Sequence, residues 1–260
     1  MSPPEQVALV RVAPSPPLRP LVQSLWCLDT RAGDGSDQAA LMHPDGGTSL
    51  ILSYGAPLGL ASTPGQGLIW APALPQSGQL LPAAGRYAFG VRFHPAGVRA
   101  LWDCPVPDID DLLLSARAAA PLHALHEQMA LLPDTHSRLA YLDQWLLTHL
   151  RPQRPSPAVN GTMQALRAMK PLPEVLADVP LSRRALERRF LMEVGMSPKQ
   201  FARVARVASA RRLLKQPLPQ RPSQAWLAQQ LGYFDEAHFI RDFQRVVGLT
   251  PGRYARRQSS

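Results

Sequence analysis

The chain has 260 residues, of which 45% are hydrophobic, and 28 Lys+Arg against 19 Asp+Glu give it a formal net charge of +9. That length holds two domains with a core each, and it contains no apolar run of roughly eighteen residues that could span a membrane. The start, MSPPEQ, lacks the basic and apolar segments of a signal peptide, and the two cysteines, Cys27 and Cys104, make no metal-spacing motif, so they read as cytosolic thiols.

Residues 1–110 read as β structure with many breaks. Val7–Val12, Leu21–Leu28, Thr48–Tyr54, Leu68–Trp70 and Tyr87–Phe93 are the expected strands, and Pro or Gly punctuates nearly every gap. His43-Pro44-Asp45-Gly46 fits a type I turn, with Pro second and Gly fourth. Arg31–Gln38 is a polar loop. The expected product is a β-rich barrel or sandwich, with Trp26, Tyr54, Trp70, Phe89 and Phe93 in its core or lining a pocket.

Catalytic patterns find little support. A metal site of the barrel type needs clustered histidines, and His43 and His94 stand apart. Asp108, Asp110 and Asp111 read as acids ahead of a helix, where the positive helix end favours them. No glycine-rich phosphate loop or nucleophile elbow occurs. The chain is therefore read as a non-enzyme without metal or cofactor. Cys27 or Cys104 as an alkyl acceptor or redox switch is the alternative from another class.

Residues 112–150 are helical. Leu122, Leu125, Met129 and Leu132 form one stripe that Pro133 ends. Asp134 or Thr135 caps the next helix, in which Leu139, Leu142, Leu146 and Leu150 repeat at three and four. This pair covers the open side of the β domain or forms a dimer seam. Arg151–Ala158, RPQRPSPA, is a semi-rigid linker. The expected boundaries are a domain over 1–150, a linker over 151–158 and an all-α domain over 159–260.

The last hundred residues carry two helix-turn-helix candidates. Met163, Leu166 and Met169 mark a first helix, and Val175, Leu176 and Val179 a second. Ser182 caps SRRALERRF, whose Leu186 and Phe190 face inward while Arg183, Arg184, Glu187 and Arg188 face out. Lys199–Lys215 is a connecting helix, roughly 25 Å long at about 1.5 Å per residue. Gln216–Pro222 is a Pro-rich connection. Trp226, Leu227 and Leu231 give the next helix its apolar face, and Gly232 supplies a turn at positive φ. Asp235 caps the last reading helix, with Phe234 or Glu236 as alternative boundaries. Phe239, Phe243, Val246 and Val247 point inward, and Gly248 and Pro251 stop the helix. Its other face carries Glu236, Ala237, Ile240 and Arg241.

Charge divides unevenly. Residues 161–260 carry 18 Lys+Arg against 7 Asp+Glu, or +11, while residues 1–160 carry 10 against 12, or −2. Such a split suits a polyanion partner for the second part, or a merely Arg-rich soluble domain.

Leu227-Ala228, Gly232-Tyr233, Asp235, His238-Phe239, Arg241, Phe243, Gly248, Thr250-Pro251 and Tyr254 resemble, in order and spacing, the signature of the AraC/XylS family of transcription regulators. LERRF followed by VGMSPKQF is similar to the first motif of the same family. One departure is Pro180, which stands where the family has Gly and cannot take positive φ. Looser likeness covers the first part, where RPLVQSLWCLD, PDGGTSLILSYG and GVRFHPAG resemble the amino-terminal domain of an AraC-like subgroup.

The resemblance implies a two-domain α+β protein. A β-rich, cupin-like sensing domain with a helical appendage would precede an all-α domain with two helix-turn-helix motifs on a long helix. It implies sequence-specific binding of double-stranded DNA in the bacterial cytoplasm. The first reading set would be Arg184, Glu187 and Arg188, and the second Glu236, Ala237, Ile240 and Arg241. Arg183 and Lys199 are phosphate candidates, Lys199 beside a helix N-terminus. A small organic effector in the β core, a homodimer, and RNA polymerase for an activator are the other expected partners.

Overall fold

Side chains alternate across a β-strand, and in the first half of the chain both faces of the strands are apolar. The computed structural model describes residues 8–29, 40–60, 63–81, 86–102, 104–151, 155–216 and 222–257. MSPPEQ, the Arg31–Gln38 loop, residues 152–154 of the expected linker and 217–221 of the second Pro-rich connection lie outside these residues. The chain divides into two units. One takes Met1–Met42, Gly47–Pro72 and Gly78–Arg154, and the other takes His43–Gly46, Ala73–Ser77 and Pro155–Ser260.

The first unit is built on strands β1 (Ala8–Val12), β2 (Val22–Asp29), β3 (Ala40–Met42), β4 (Thr48–Leu60), β5 (Thr63–Ala71), β6 (Gly78–Leu81) and β7 (Arg86–Phe93). They form one seven-stranded sheet in the order β1-β2-β7-β4-β6-β3, with β5 paired to β4. Every pairing is antiparallel. Five strands follow the sequence pattern, and β3 and β6 do not. β4 also runs on to Leu60, beyond the expected end at Tyr54. A register shift between Ser53 and Leu58 absorbs Gly55, whose φ is +84°.

Leu25, Cys27, Leu50, Leu52, Phe89 and Val91 point to one face of the sheet. There they meet helices α2 (Ala116–Leu131) and α3 (Thr135–His149), which follow the short α1 (Ile109–Leu114). Leu122, Leu125, Met129, Leu139, Leu142 and Leu146 complete this core, so the helical pair covers the sheet of its own unit. Each such side chain contributes about 1.5–3 kcal/mol when fully buried. All five aromatic residues expected inside are buried. Asp110 and Asp111 lie in the first turn of α1, as the helix dipole favours. Burial, and then Asp111, raises the Asp110 carboxyl above its ordinary range.

Two polar devices fasten the helices. Arg138, buried in α3, donates Nε to the Met129 carbonyl (2.9 Å) and Nη2 to that of Leu132 (2.6 Å), satisfying carbonyls at the end of α2. Its guanidinium lies 4.8 Å from the Tyr87 ring centroid. Tyr54 donates its hydroxyl to the His126 carbonyl (2.9 Å) and stacks on the His126 ring at 4.2 Å. Burial raises the Tyr54 phenol above its ordinary range. Asp134 caps α3, accepting from the Ser137 backbone N–H at 2.8 Å.

The opposite face holds Trp26, Leu28, Ile51, Ile69 and Ala88. Trp26 sits across from Gly90 in the register, and a Cβ on Gly90 would fall into the indole ring. Gly90→Ala is expected to destabilise this unit by about 1–3 kcal/mol, because a buried ring must shift in a packed core. Thermal denaturation of wild type and variant checks this, and an unchanged midpoint counts against the packing described.

Helices make up most of the second unit: α4 (Pro157–Arg167), α5 (Leu172–Asp178), α6 (Arg183–Val194), α7 (Pro198–Lys215), α8 (Gln224–Gln230), α9 (Glu236–Val247) and α10 (Pro251–Arg257). Ser77, one of this unit's earlier residues, donates its backbone N–H and its hydroxyl to the Val246 carbonyl, at 2.7 and 2.8 Å. His43 Nδ1 is 2.9 Å from the same hydroxyl. Burial, and then Arg211 and Lys215, pull the His43 pKa down to about 4, so the ring is neutral at pH 7.

Candidate nucleic-acid interface

The site is organised by α7, an 18-residue helix about 27 Å long at about 1.5 Å per residue. Ser197 and Gln200 form a capping box at its start: Gln200 N–H donates to the Ser197 hydroxyl, and Ser197 N–H to the Gln200 side chain. Phe201 and Val204 are fully buried on α7, and Phe201 meets Phe190 of α6 edge-on at 5.5 Å. Val207 and Ala210 belong to a second cluster with Leu227, Phe239, Phe243 and Tyr254. One helix therefore supplies two successive cores.

The first motif is α5, a turn and α6. Ser182 accepts the Ala185 N–H at 3.3 Å and starts α6, while Gly195 ends it at φ +83°. The turn before it differs from its counterpart in the second motif. Leu181 N–H donates to the Val179 carbonyl at 2.8 Å, which closes an inverse γ-turn around Pro180. That turn uses negative φ, the only sign proline allows. In the second motif Gly232 takes φ +69°, and Tyr233 N–H returns to the Ala228 carbonyl at 2.9 Å.

Arg183, Arg184 and Arg188 are exposed on α6, with Glu187 half-buried between them. Arg183 Nε bonds Glu187 Oε1 at 2.9 Å, one turn along the same helix. Arg184, Glu187, Arg188 and the exposed Leu191 line an open groove of ≈ 690 Å³, whose other wall includes Ser197 and Gln200. Leu191 and Gln200 are groove residues that periodicity alone does not single out. Lys199 is exposed in the first turn of α7 and lines a smaller cavity of ≈ 180 Å³ with Lys170 and Arg206.

The second motif is α8, the Gly232 turn and α9. Ser223 caps α8 and Asp235 caps α9, each accepting a backbone N–H, from Trp226 (3.1 Å) and His238 (2.6 Å). Glu236, Ala237 and Arg241 are exposed on α9. Ile240 is half-buried and packs partly against the second core. One expectation needs correction. Trp226 is 43% exposed, and the inner face of α8 is Leu227 and Ala228, because successive residues of a helix with about 3.6 residues per turn point in different directions and Leu227 takes the inward one. Phe234 is 95% exposed immediately before the α9 cap.

What pins α9 is polar. Arg203 Nε on α7 donates to Asp242 Oδ1 at 2.9 Å, and His238 Nε2 lies 3.7 Å from Oδ2. Asp242 is buried. Arg206 stacks at 4.7 Å over Tyr233, whose phenol burial raises above its ordinary range. The two arginine ties join residues 39 and 27 apart in the chain, beyond the reach of a local pattern.

The thiols are placed differently. Cys27 is buried in the core beneath the sheet and Cys104 is half-buried beside it. Among the described residues no three His, Cys, Asp or Glu side chains gather as metal ligands, and no helix is long and apolar enough to cross a membrane.

Residues 176–257 match the family HTH_18, "Helix-turn-helix domain", and residues 10–115 match a domain of unknown function, DUF6597. An "Uncharacterized HTH-type transcriptional regulator" of Haemophilus influenzae is 30% identical over 113 residues, which are 44% of this chain and 37% of that relative's length. The carboxy-terminal domain of AraT, a response regulator from Geobacillus stearothermophilus, is 24% identical over 40% of this chain and 88% of its own, with a TM-score of 0.37. ToxT from Vibrio cholerae is 10% identical over 89% of this chain and 96% of its own, with a TM-score of 0.46.

Proposed function

We propose that the chain is a DNA-binding transcription regulator of the AraC type that reads two adjacent major grooves with α6 and α9, a reading that the helix-turn-helix match over residues 176–257 supports. The observation that carries this is the pair of exposed, Arg-bearing helices mounted on one rigid connecting helix. Arg184 and Arg188 on α6, and Arg241 on α9, suit guanine, which offers two acceptors to a guanidinium. Glu187 and Glu236 suit the cytosine amino group, and Ala237 and the outer part of Ile240 suit a thymine methyl. Lys199 and Arg183 serve phosphates, which hold the register without reading bases. Successive major grooves of B-DNA lie about 34 Å apart, so the two preferences fall about 10 base pairs apart. A binding selection on randomised DNA at fixed salt tests this. Two preferred blocks at that spacing support it, and a single block removes α6 from the reading role.

The amino-terminal unit then acts as the regulatory part, modulated by a small effector in the cytoplasm and able to mediate a homodimer. What favours an effector is a cavity of ≈ 200 Å³ in this unit. It lies beside the covering helices rather than among the aromatic residues of the sheet. The buried position of Cys27 weighs against alkyl transfer there, since an acceptor thiol must meet its donor.

A further inference from the structure

We infer that this cavity is a binding site for a single-ring aromatic carboxylate, an inference that rests on the effector reading above and names its ligand class. The cavity opens between the 3-10 turn Gly97–Ala100 with Leu101 and Trp102, the start of α2, and the last turn of α3 with Arg151. Leu122 and Trp145, both buried, form its apolar wall. Trp102 is held edge-on against Trp70, with ring centroids 6.5 Å apart. Indole walls favour a planar ring over an aliphatic chain of equal volume.

Two guanidinium groups and an imidazole line the same cavity, Arg99, Arg151 and His149, and among the described residues no Asp or Glu lines it. Guanidinium groups bind carboxylates through two parallel hydrogen bonds, which fixes orientation as well as charge. His149 stacks on Trp145 at 4.0 Å, and its Nδ1–H donates to the Trp145 carbonyl at 2.8 Å, so the ring is already placed. The size also selects. At ≈ 200 Å³ the space lies below the roughly 300–1,000 Å³ of sites for drug-sized ligands, which leaves room for one ring and its acid group.

The walls are preorganised. Arg151 N–H donates to the Ala100 carbonyl at 2.7 Å, tying the end of α3 to the 3-10 turn. That turn is seated so closely that a Cβ on Gly97 would strike the Leu21 carbonyl oxygen. A ligand here therefore meets fixed partners and spends little of its binding energy on ordering them.

The test uses the full-length protein and two probes of one shape, nicotinate and its neutral amide nicotinamide, with propionate as a carboxylate lacking a ring. Calorimetric titration is expected to give saturable nicotinate binding at micromolar to millimolar concentration, at least tenfold weaker binding of the other two, and at least tenfold loss in Arg151→Ala. Arg151 is exposed, so that variant keeps the fold; Arg99→Gln, with its unliganded melting temperature checked, is the second. Nicotinate binding that is absent, or untouched by both variants, overturns the assignment. A thermal-shift screen of neutral and apolar compounds runs beside it. Hits that both variants leave unchanged place an effector elsewhere, and no hit in either set removes the effector reading as well.

Discussion

Arg241→Ala is expected to relax preference in one block of the selected DNA and leave the other block intact, while Arg188→Ala does the reverse. The two side chains stand exposed on α9 and α6, which are anchored in separate clusters along α7. A guanidinium bonded to both guanine acceptors contributes about 1–3 kcal/mol of discrimination, or roughly 5–150-fold in relative affinity. A phosphate role has another signature: affinity for all sequences falls together, and the slope of log affinity against log salt drops by about one. Selection on randomised DNA with wild type and both variants at one salt concentration separates the cases. The inverse γ-turn at Pro180 sets how α6 enters, so the first block is also the more sensitive to Pro180→Gly. If neither arginine variant alters preference, the reading faces lie elsewhere on these helices.

Asp242→Ala is expected to destabilise the second unit strongly. It leaves Arg203 without its carboxylate in a site where Asp242 is 9% and Arg203 21% exposed at the side chain. Removing one partner of such a pair costs about 3–5 kcal/mol, because the remaining charge stays desolvated. For a domain of this size about 1 kcal/mol moves the melting temperature by about 4–8 °C, so a fall of more than 10 °C is expected. The pair also ties α9 to α7. A weaker second DNA block at temperatures where the variant is still folded would show the positioning role. A melting temperature within 2–3 °C of wild type would mean that water replaces the lost carboxylate.

Much of the second unit was legible because its signals are local. Ser182, Ser197 and Asp235 precede their helices by one residue, and a cap needs only the next three positions to act. Pro180 excludes positive φ whatever surrounds it, and the turn there obeys that limit. Gly232 and Gly248 mark left-handed positions for the same intramolecular reason. In the first unit the alternation of apolar residues was enough to locate β2 and β7 and their buried aromatic residues.

Other features depended on partners distant in the chain. β3 has three residues and β6 has four, too few to show a period, and they become strands because β6 pairs with both β3 and β4. Gly55 reads as a strand end until the neighbouring strands accommodate a bulge there. Arg138 looks like a surface residue of an amphipathic helix, and it is buried because the carbonyls ending α2 need donors. Trp226 has the hydrophobicity of a core residue, yet Leu227 and Ala228 take the inner face of a seven-residue helix. The cavity beside α2 and α3 draws on three separate stretches between residues 99 and 151, which no local pattern links. Caps, turns and helix faces follow from energies acting within about one turn of chain. Strand partners, buried ions and cavities follow from burial, which only the assembled tertiary structure can assign.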